Sequence, residues 1–311
     1  MNKKSLKILS EFSINSRVPI KELSKKIRSS QQSTSYMVKQ MKKKYIRKST
    51  TVVDAVKLGY TTVLVGLDYT TSDEEERGKI IDELMKTKSI ISIQEGSYGV
   101  DLILEYCESN LSAFNKQHID LIKRFTKKIE TKFVYPIIVK YLYNKNYLSK
   151  SFNDTYKLLC GDRDVISLTE NEKKVLYALV KEPSASFTKL VKMTKITVKT
   201  VIKIKKHLEK INIIKKYSCY YDLNKTKINR SFLFIQLSDI SDLDKLKEYV
   251  KNNKNIIEFV KIIGEYHIFL VIESLKQTNT LQKLRLNFKI DNYNLSNIEN
   301  IKKRSFLPLP D

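Results

Sequence analysis

Two lysine-rich helical segments carry the side chains best suited to chemistry. Over residues 30–44 the apolar spacing turns Met37 and Met41 inward and leaves Gln31, Gln32, Ser35 and Lys39 outside, followed by Lys42, Lys43, Lys44, Arg47 and Lys48. Over residues 197–210, Val201, Ile204 and Leu208 turn inward, leaving Lys199, Thr200, Lys203 and Lys206 outside, with Lys215 and Lys216 just beyond. A helix that enters the major groove needs polar side chains near its N-terminus for base edges and cations around it for phosphates. Gln31 and Gln32 have the bidentate geometry that adenine accepts, whereas the lysines set affinity rather than sequence choice. Double-stranded DNA is therefore the expected partner.

The overall charge points the same way. The 311 residues hold 58 Lys+Arg against 34 Asp+Glu, a net charge of +24, which asks for a polyanion. Catalytic patterns are missing. His118, His207 and His267 lie far apart in the chain, and Cys107, Cys160 and Cys219 form no metal-ligand spacing. Neither a phosphate-cradling glycine loop nor a zinc-protease histidine pair occurs. The expectation is a protein that is not an enzyme and has no cofactor and no metal. Its scattered thiols, polar N-terminus and short apolar runs suggest a soluble, cytoplasmic chain without membrane attachment.

The elements that must hold these helices occur twice. A displacement of 167 residues carries Leu9 onto Leu176, Leu23 onto Leu190, Met41 onto Leu208 and Ile46 onto Ile213; a displacement of 168 carries Gly96 onto Gly264 and Tyr98 onto Tyr266. Each copy opens with three short helices. The second begins at a capping box, Thr169 with Glu172. Ser30 and Thr197 cap the third helices, and a β-prone segment that starts a wing follows each.

Beyond the heads the period alternates between strand and helix. In the first copy the order is strand 62–67, helix 74–85, strands 90–94 and 102–106, helix 119–129 and strand 134–141. In the second it is strand 232–235, helix 243–250, strands 256–263 and 268–272, helix 281–288 and a last strand near 298–301. This β-α-β-β-α-β order predicts a ferredoxin-like body whose open sheet face must pack on something, such as a second sheet. The fold class is thus α+β, with two winged helix-turn-helix domains (1–55 and 167–222) alternating with two ferredoxin-like domains (56–143 and 223–311), joined by a polar linker (144–166). The open faces imply self-association, within one chain or between chains.

The run Ile8-Leu9-x-x-Phe12-x-x-Asn15-Ser16-Arg17-x-x-Ile20-x-x-Leu23 resembles the opening of Lrp/AsnC transcriptional regulators, in the duplicated arrangement of archaeal members. The run from Thr200 through Leu208-Glu209-Lys210 to Asn212-Ile213-Ile214 resembles the same family. The resemblance implies a DNA-binding regulator. It also implies an amino-acid-like effector near the glycine loops, at Gly96, Tyr98 and Asp101 and at Gly264, Tyr266 and His267. Tyr45 and Asn212 stand where the family places a glycine after the recognition helix, and His267 stands where it places an aspartate. The architecture also resembles that of sirohaem decarboxylases, an enzymatic alternative against which the basic recognition helices argue. A DNA-architectural protein that binds without sequence choice is a further alternative.

Overall fold

The computed structural model of the chain describes residues 1–149 and 151–310. The first copy runs α1 (Lys3–Ile14), α2 (Ile20–Ile27), α3 (Gln31–Lys44), β1 (Ile46–Val53), β2 (Thr61–Tyr69), α4 (Glu74–Lys86), β3 (Ile90–Tyr98), β4 (Leu102–Glu108), α5 (Leu111–Arg124) and β5 (Ile129–Tyr143). The joining segment contributes a short β6 (Tyr156–Cys160). The second copy runs α6 (Glu170–Lys181), α7 (Phe187–Thr194), α8 (Val198–Lys210), β7 (Ile214–Tyr221), α9 (Leu223–Thr226), β8 (Asn229–Leu237), α10 (Leu243–Lys251), β9 (Ile256–Ile262), β10 (Ile268–Ser274), α11 (Thr280–Asn287) and β11 (Ile290–Arg304). This is the α+β arrangement of alternating helical heads and ferredoxin-like bodies.

Local chemistry sets the element ends. Thr169 and Glu172 form the expected capping box, and Ser30 and Thr197 accept the N–H groups of Ser33 and Thr200. Asn110 accepts the Ala113 N–H, so α5 starts at Leu111 and ends at Arg124. The helix expected at 119–129 therefore lies several residues earlier, and Ile129 opens β5. On α3 the buried stripe is Thr34, Val38 and Met41, with Met37 only half-buried. Asn212 adopts the left-handed conformation (φ 57°) that ends α8, while Tyr45 avoids it at φ −120°.

The two copies are interlocked. The strand after each third helix does not fold back within its own head: β1 and β7 pair with each other as one antiparallel ribbon, Thr50 opposite Ser218. Each body has the strand order of a ferredoxin-like sheet, β5-β2-β4-β3 and β9-β10-β8-β11. The sheets join at both edges, β3 with β11 and β5 with β9, and close into a barrel. The 15-residue strands β5 and β11 each serve both sheets. Ile129–Pro136 of β5 pairs with β2, and the next residues pair with β9. Pro136, which has no N–H to donate, sits where the strand changes partner. The open sheet faces thus meet inside the chain.

Leu64, Ile103, Phe232, Phe234 and Phe269 face the barrel interior, in a core that continues into the heads. The outer faces pack under helices, with Val65 and Leu104 against Ile80 and Leu84, and Leu233 and Leu270 against Leu246 and Val250. Fully burying each such side chain contributes roughly 1.5–3 kcal/mol.

The register of the repeat needs one correction. β2 and β8 are related by a displacement of 168, but β3 and β4 map onto β9 and β10 by 166. The hairpins close through Gly96 N–H to Asp101 O and Ile262 N–H to His267 O. Gly96 therefore corresponds to Ile262, and Asp101 to His267; the alignment of Gly96 with Gly264 was a coincidence of residue type. The second copy is two residues shorter between β8 and β9.

Candidate functional site

The heads form one block. Arg17 donates from Nη1 to the Pro183 carbonyl (2.6 Å) and from Nη2 to the Ala185 carbonyl (2.9 Å), and the Ser184 hydroxyl meets that of Ser49 (2.9 Å). On this block Gln31, Gln32, Ser35, Lys39, Lys42 and Lys43 are exposed on α3, and Lys199, Lys203 and Lys206 on α8. Thr200 is half-buried, its hydroxyl 3.0 Å from that of Thr197. Two of the expected phosphate contacts are engaged elsewhere. Arg47 pairs with Asp222 (3.0 Å), and Lys215 pairs with the fully buried Asp54 (3.2 Å). The Lys215 side chain is only 9% exposed, and burial lowers its pKa although Asp54 pulls it up. It is a ribbon residue rather than a surface cation.

The glycine loops lie against the long strand of the opposite body. A Cβ on Gly264 would stand 2.3 Å from the Tyr135 ring, and one on Gly99 2.4 Å from the Ser296 hydroxyl. Tyr266 is buried and Tyr98 is exposed. Gly96 and Asp101 line an open pocket of about 470 Å³ with Arg77, Glu95 and Lys302. Asp101 and His267 both turn back onto their own sheets, accepting the N–H groups of Tyr69 and Leu237.

A third feature escaped the sequence reading. Between ribbon and barrel lies a buried cluster of charged residues. Glu273, almost fully buried, is met by Lys145 (2.8 Å), Arg230 Nη1 (2.5 Å) and the hydroxyls of Tyr221 (2.6 Å) and Tyr147 (2.7 Å). Glu258 is met by Arg304, and Lys140 pairs with Glu105 at 2.6 Å. Arg230 Nε donates to Gln94 (2.8 Å). Burial pushes the Glu273 carboxyl up, but Lys145 and Arg230 together hold it well below the usual carboxylate range. Burial lowers Lys145 and brings Lys216 down to about 8, helped by the like charge of Lys145. The signal was present in the strands. Glu105, Arg230 and Glu273 share the alternating face of Ile103, Phe232 and Val271, and Gln94, Lys140 and Glu258 line the same interior.

Two spaces adjoin the cluster and share Arg230. One is a recess of about 50 Å³ lined by Lys145, Lys216, Arg304, Glu258 and Tyr143. The other is an open pocket of about 730 Å³ between α9, β8, β11 and the start of α11, rimmed by Lys227, Asn229, Gln277 and Asn297. The larger volume is that of a ligand site. The described residues contain no helix long and apolar enough to cross a membrane.

Comparison with solved structures gives the same architecture over the full length. The crystal structure of the sirohaem decarboxylase NirDL superposes with a TM-score of 0.58 at 15% identity, covering 100% of this chain and 95% of that one. Its complex with an iron-uroporphyrin III analogue gives 0.57 at 14% identity, covering 99% and 94%. An AsnC family transcriptional regulator from Agrobacterium tumefaciens is 20% identical but covers 43% of this chain, with a TM-score of 0.36. No protein-family profile matches the sequence, and no curated protein does. The chain therefore shares the duplicated α+β fold of the NirDL structure along its whole length. The expectation that it is not an enzyme is overturned, because the structure matched along its whole length is that of an enzyme.

Proposed function

We propose that this chain is an enzyme of the sirohaem-decarboxylase type, acting on a tetrapyrrole that bears several carboxylates. The observation that carries the reading is the match over the whole of both chains, heads and bodies in one polypeptide. The charge of +24 suits such a polyanion as well as it suits DNA. Loss of CO2 from a carboxylate arm breaks a C–C bond and leaves the electron pair on carbon, which takes a proton from water. The 730 Å³ pocket supplies holding groups for this substrate: Arg230 at its floor and Lys227 at its rim for carboxylates, with Leu281 and Leu295 against the ring. The test is titration of the full-length protein with iron uroporphyrin III, following visible absorbance, and incubation with sirohaem, following product mass. A saturable spectral shift, weakened by Lys227→Ala, and loss of the mass of CO2 are expected. No shift and no mass change would overturn the reading.

A second reading rests on the exposed residues Gln31, Gln32, Ser35, Lys39, Lys42 and Lys43 on α3 and Lys199, Lys203 and Lys206 on α8. On it the heads bind duplex DNA as a transcription regulator. Phosphate contacts release counterions, so affinity must fall steeply with salt. Affinity unchanged between low and physiological salt would remove this reading.

A further inference from the structure

The recess between ribbon and barrel is charge-imbalanced. Lys145, Lys216, Arg230 and Arg304 converge on it, while the carboxylates that meet them are Glu258 and Glu273. Among the described residues no carboxylate lies within ion-pair distance of Lys216. Two buried donors are also left over. Arg230 Nη2 has no hydrogen-bond partner and stands 3.7 Å from Glu258, too far to bond; the Tyr143 hydroxyl has none either. Both side chains are more than nine-tenths buried, and both line the recess. Arg230 is buried and Lys145, Lys216 and Arg304 are half-buried; cations so withdrawn from water and in excess of their counterions, beside unspent donors, are costly unless an anion joins them.

We propose that this recess is a binding site for one small carboxylate group. It would lie between Lys216 and Arg230 Nη2 and take the Tyr143 hydroxyl as a third donor. At about 50 Å³ the space exceeds that of one water, for which about 10–15 Å³ suffices, yet it excludes a ring system. A planar carboxylate suits the fork of a guanidinium better than a spherical halide does. The site does not rest on the tetrapyrrole reading. Its occupant is either a free small carboxylate or one arm of a larger ligand that reaches past Arg230 from the open pocket.

The experiment uses the full-length protein, with acetate as probe and chloride at matched ionic strength as control. Titration calorimetry and thermal unfolding are run on wild type, Lys216→Met and Tyr143→Phe. Saturable binding of acetate that raises the melting temperature is expected, with affinity about tenfold weaker or worse in Lys216→Met and a smaller loss in Tyr143→Phe. If acetate fails but iron uroporphyrin III binds, and Lys216→Met weakens that binding by the same factor, the carboxylate is an arm of the larger ligand and the site stands. Equal stabilisation by chloride, or acetate binding untouched in Lys216→Met, overturns the proposal. So does the failure of both ligands. Acetate binding without tetrapyrrole binding leaves the site in place while removing the decarboxylase reading.

Discussion

Asp101 and His267 hold equivalent places in the two copies and make the same bond with different chemistry. Asp101 Oδ2 accepts the Tyr69 N–H at 2.8 Å, and His267 Nδ1 accepts the Leu237 N–H at 3.1 Å. Each ties the start of one inner strand to the end of its neighbour, where a backbone donor would otherwise lack a partner. Replacing His267 by Asp should be nearly neutral, whereas His267→Ala should cost about 1–2 kcal/mol by stranding the Leu237 N–H. Denaturant unfolding of the two variants checks this; equal losses would mean that His267 acts by packing instead.

The ribbon is clasped at both ends by ion pairs related by the duplication, and their burial differs. Asp54 is fully buried; it accepts the Cys160 N–H (3.0 Å) and faces Lys215, whose side chain is 9% exposed. Asp222 is itself buried, but it faces Arg47, which is 46% exposed, and has Lys225 at 3.8 Å as a second cation. Removing one partner of a buried pair leaves a stranded charge and costs about 3–5 kcal/mol, while an exposed pair contributes about 0–1 kcal/mol. Asp54→Ala should therefore destabilise the chain far more than Arg47→Ala, and thermal unfolding of the two variants measures the difference. Because Arg47→Ala removes a half-exposed cation and leaves Asp222 with Lys225, its small effect should also shrink at high salt.

Much of the architecture was legible because its signals are local. Caps at Ser30, Thr169 and Thr197, apolar stripes and strand alternation specify the heads and bodies. What pairs with what was not legible. Nothing in Thr50 or Ser218 says that they face each other across the duplication rather than within separate wings. The register of the second body was misread because a glycine and a tyrosine recur by chance in loops displaced by two residues. The candidate site was hidden for a related reason. Lys145, Lys216, Arg230, Glu258 and Glu273 come from five separate stretches of chain, and a charge on a strand reads as solvent-facing until closure of the barrel puts it inside.

Lys216 and Lys303 both titrate near 8 in the fold, against 10.5 for an ordinary lysine. Burial is the main cause in each, joined by the like charges of Lys145, Lys157 and Arg304 at Lys216, opposed by Glu258, and by Lys48 at Lys303. A lysine depressed in the fold binds fewer protons there than in the unfolded chain between the two values, so stability rises with pH across that window. From about pH 9 the buried thiols of Cys107, Cys160 and Cys219, pushed up by burial, act in the opposite sense, joined above about pH 10 by tyrosines such as Tyr60 and Tyr135 at about 12. Denaturation midpoints should therefore increase from about pH 8 to about pH 9, before the thiols begin to oppose the lysines, and Lys216→Met should remove part of the slope. A flat profile in wild type would show that neither ammonium is strained by burial.

Gly264 offers a test of the interlocked barrel itself. Its φ of 157° is mildly unfavourable for other residues, but the larger obstacle is steric, since an added Cβ would stand 2.3 Å from the Tyr135 ring on β5. Tyr135 is buried, stacks on Phe133 at 4.8 Å between ring centres and meets Tyr266 edge-on, so it has little room to yield. Gly264→Ala should cost about 1–3 kcal/mol, the usual range for overpacking. If the clash with a strand of the other body is the cause, then Tyr135→Ala, itself destabilising, should make Gly264→Ala nearly silent. A double-mutant cycle on unfolding free energies reads that coupling directly. Additive losses would mean that the two bodies do not meet at this loop and that the barrel is not closed as described.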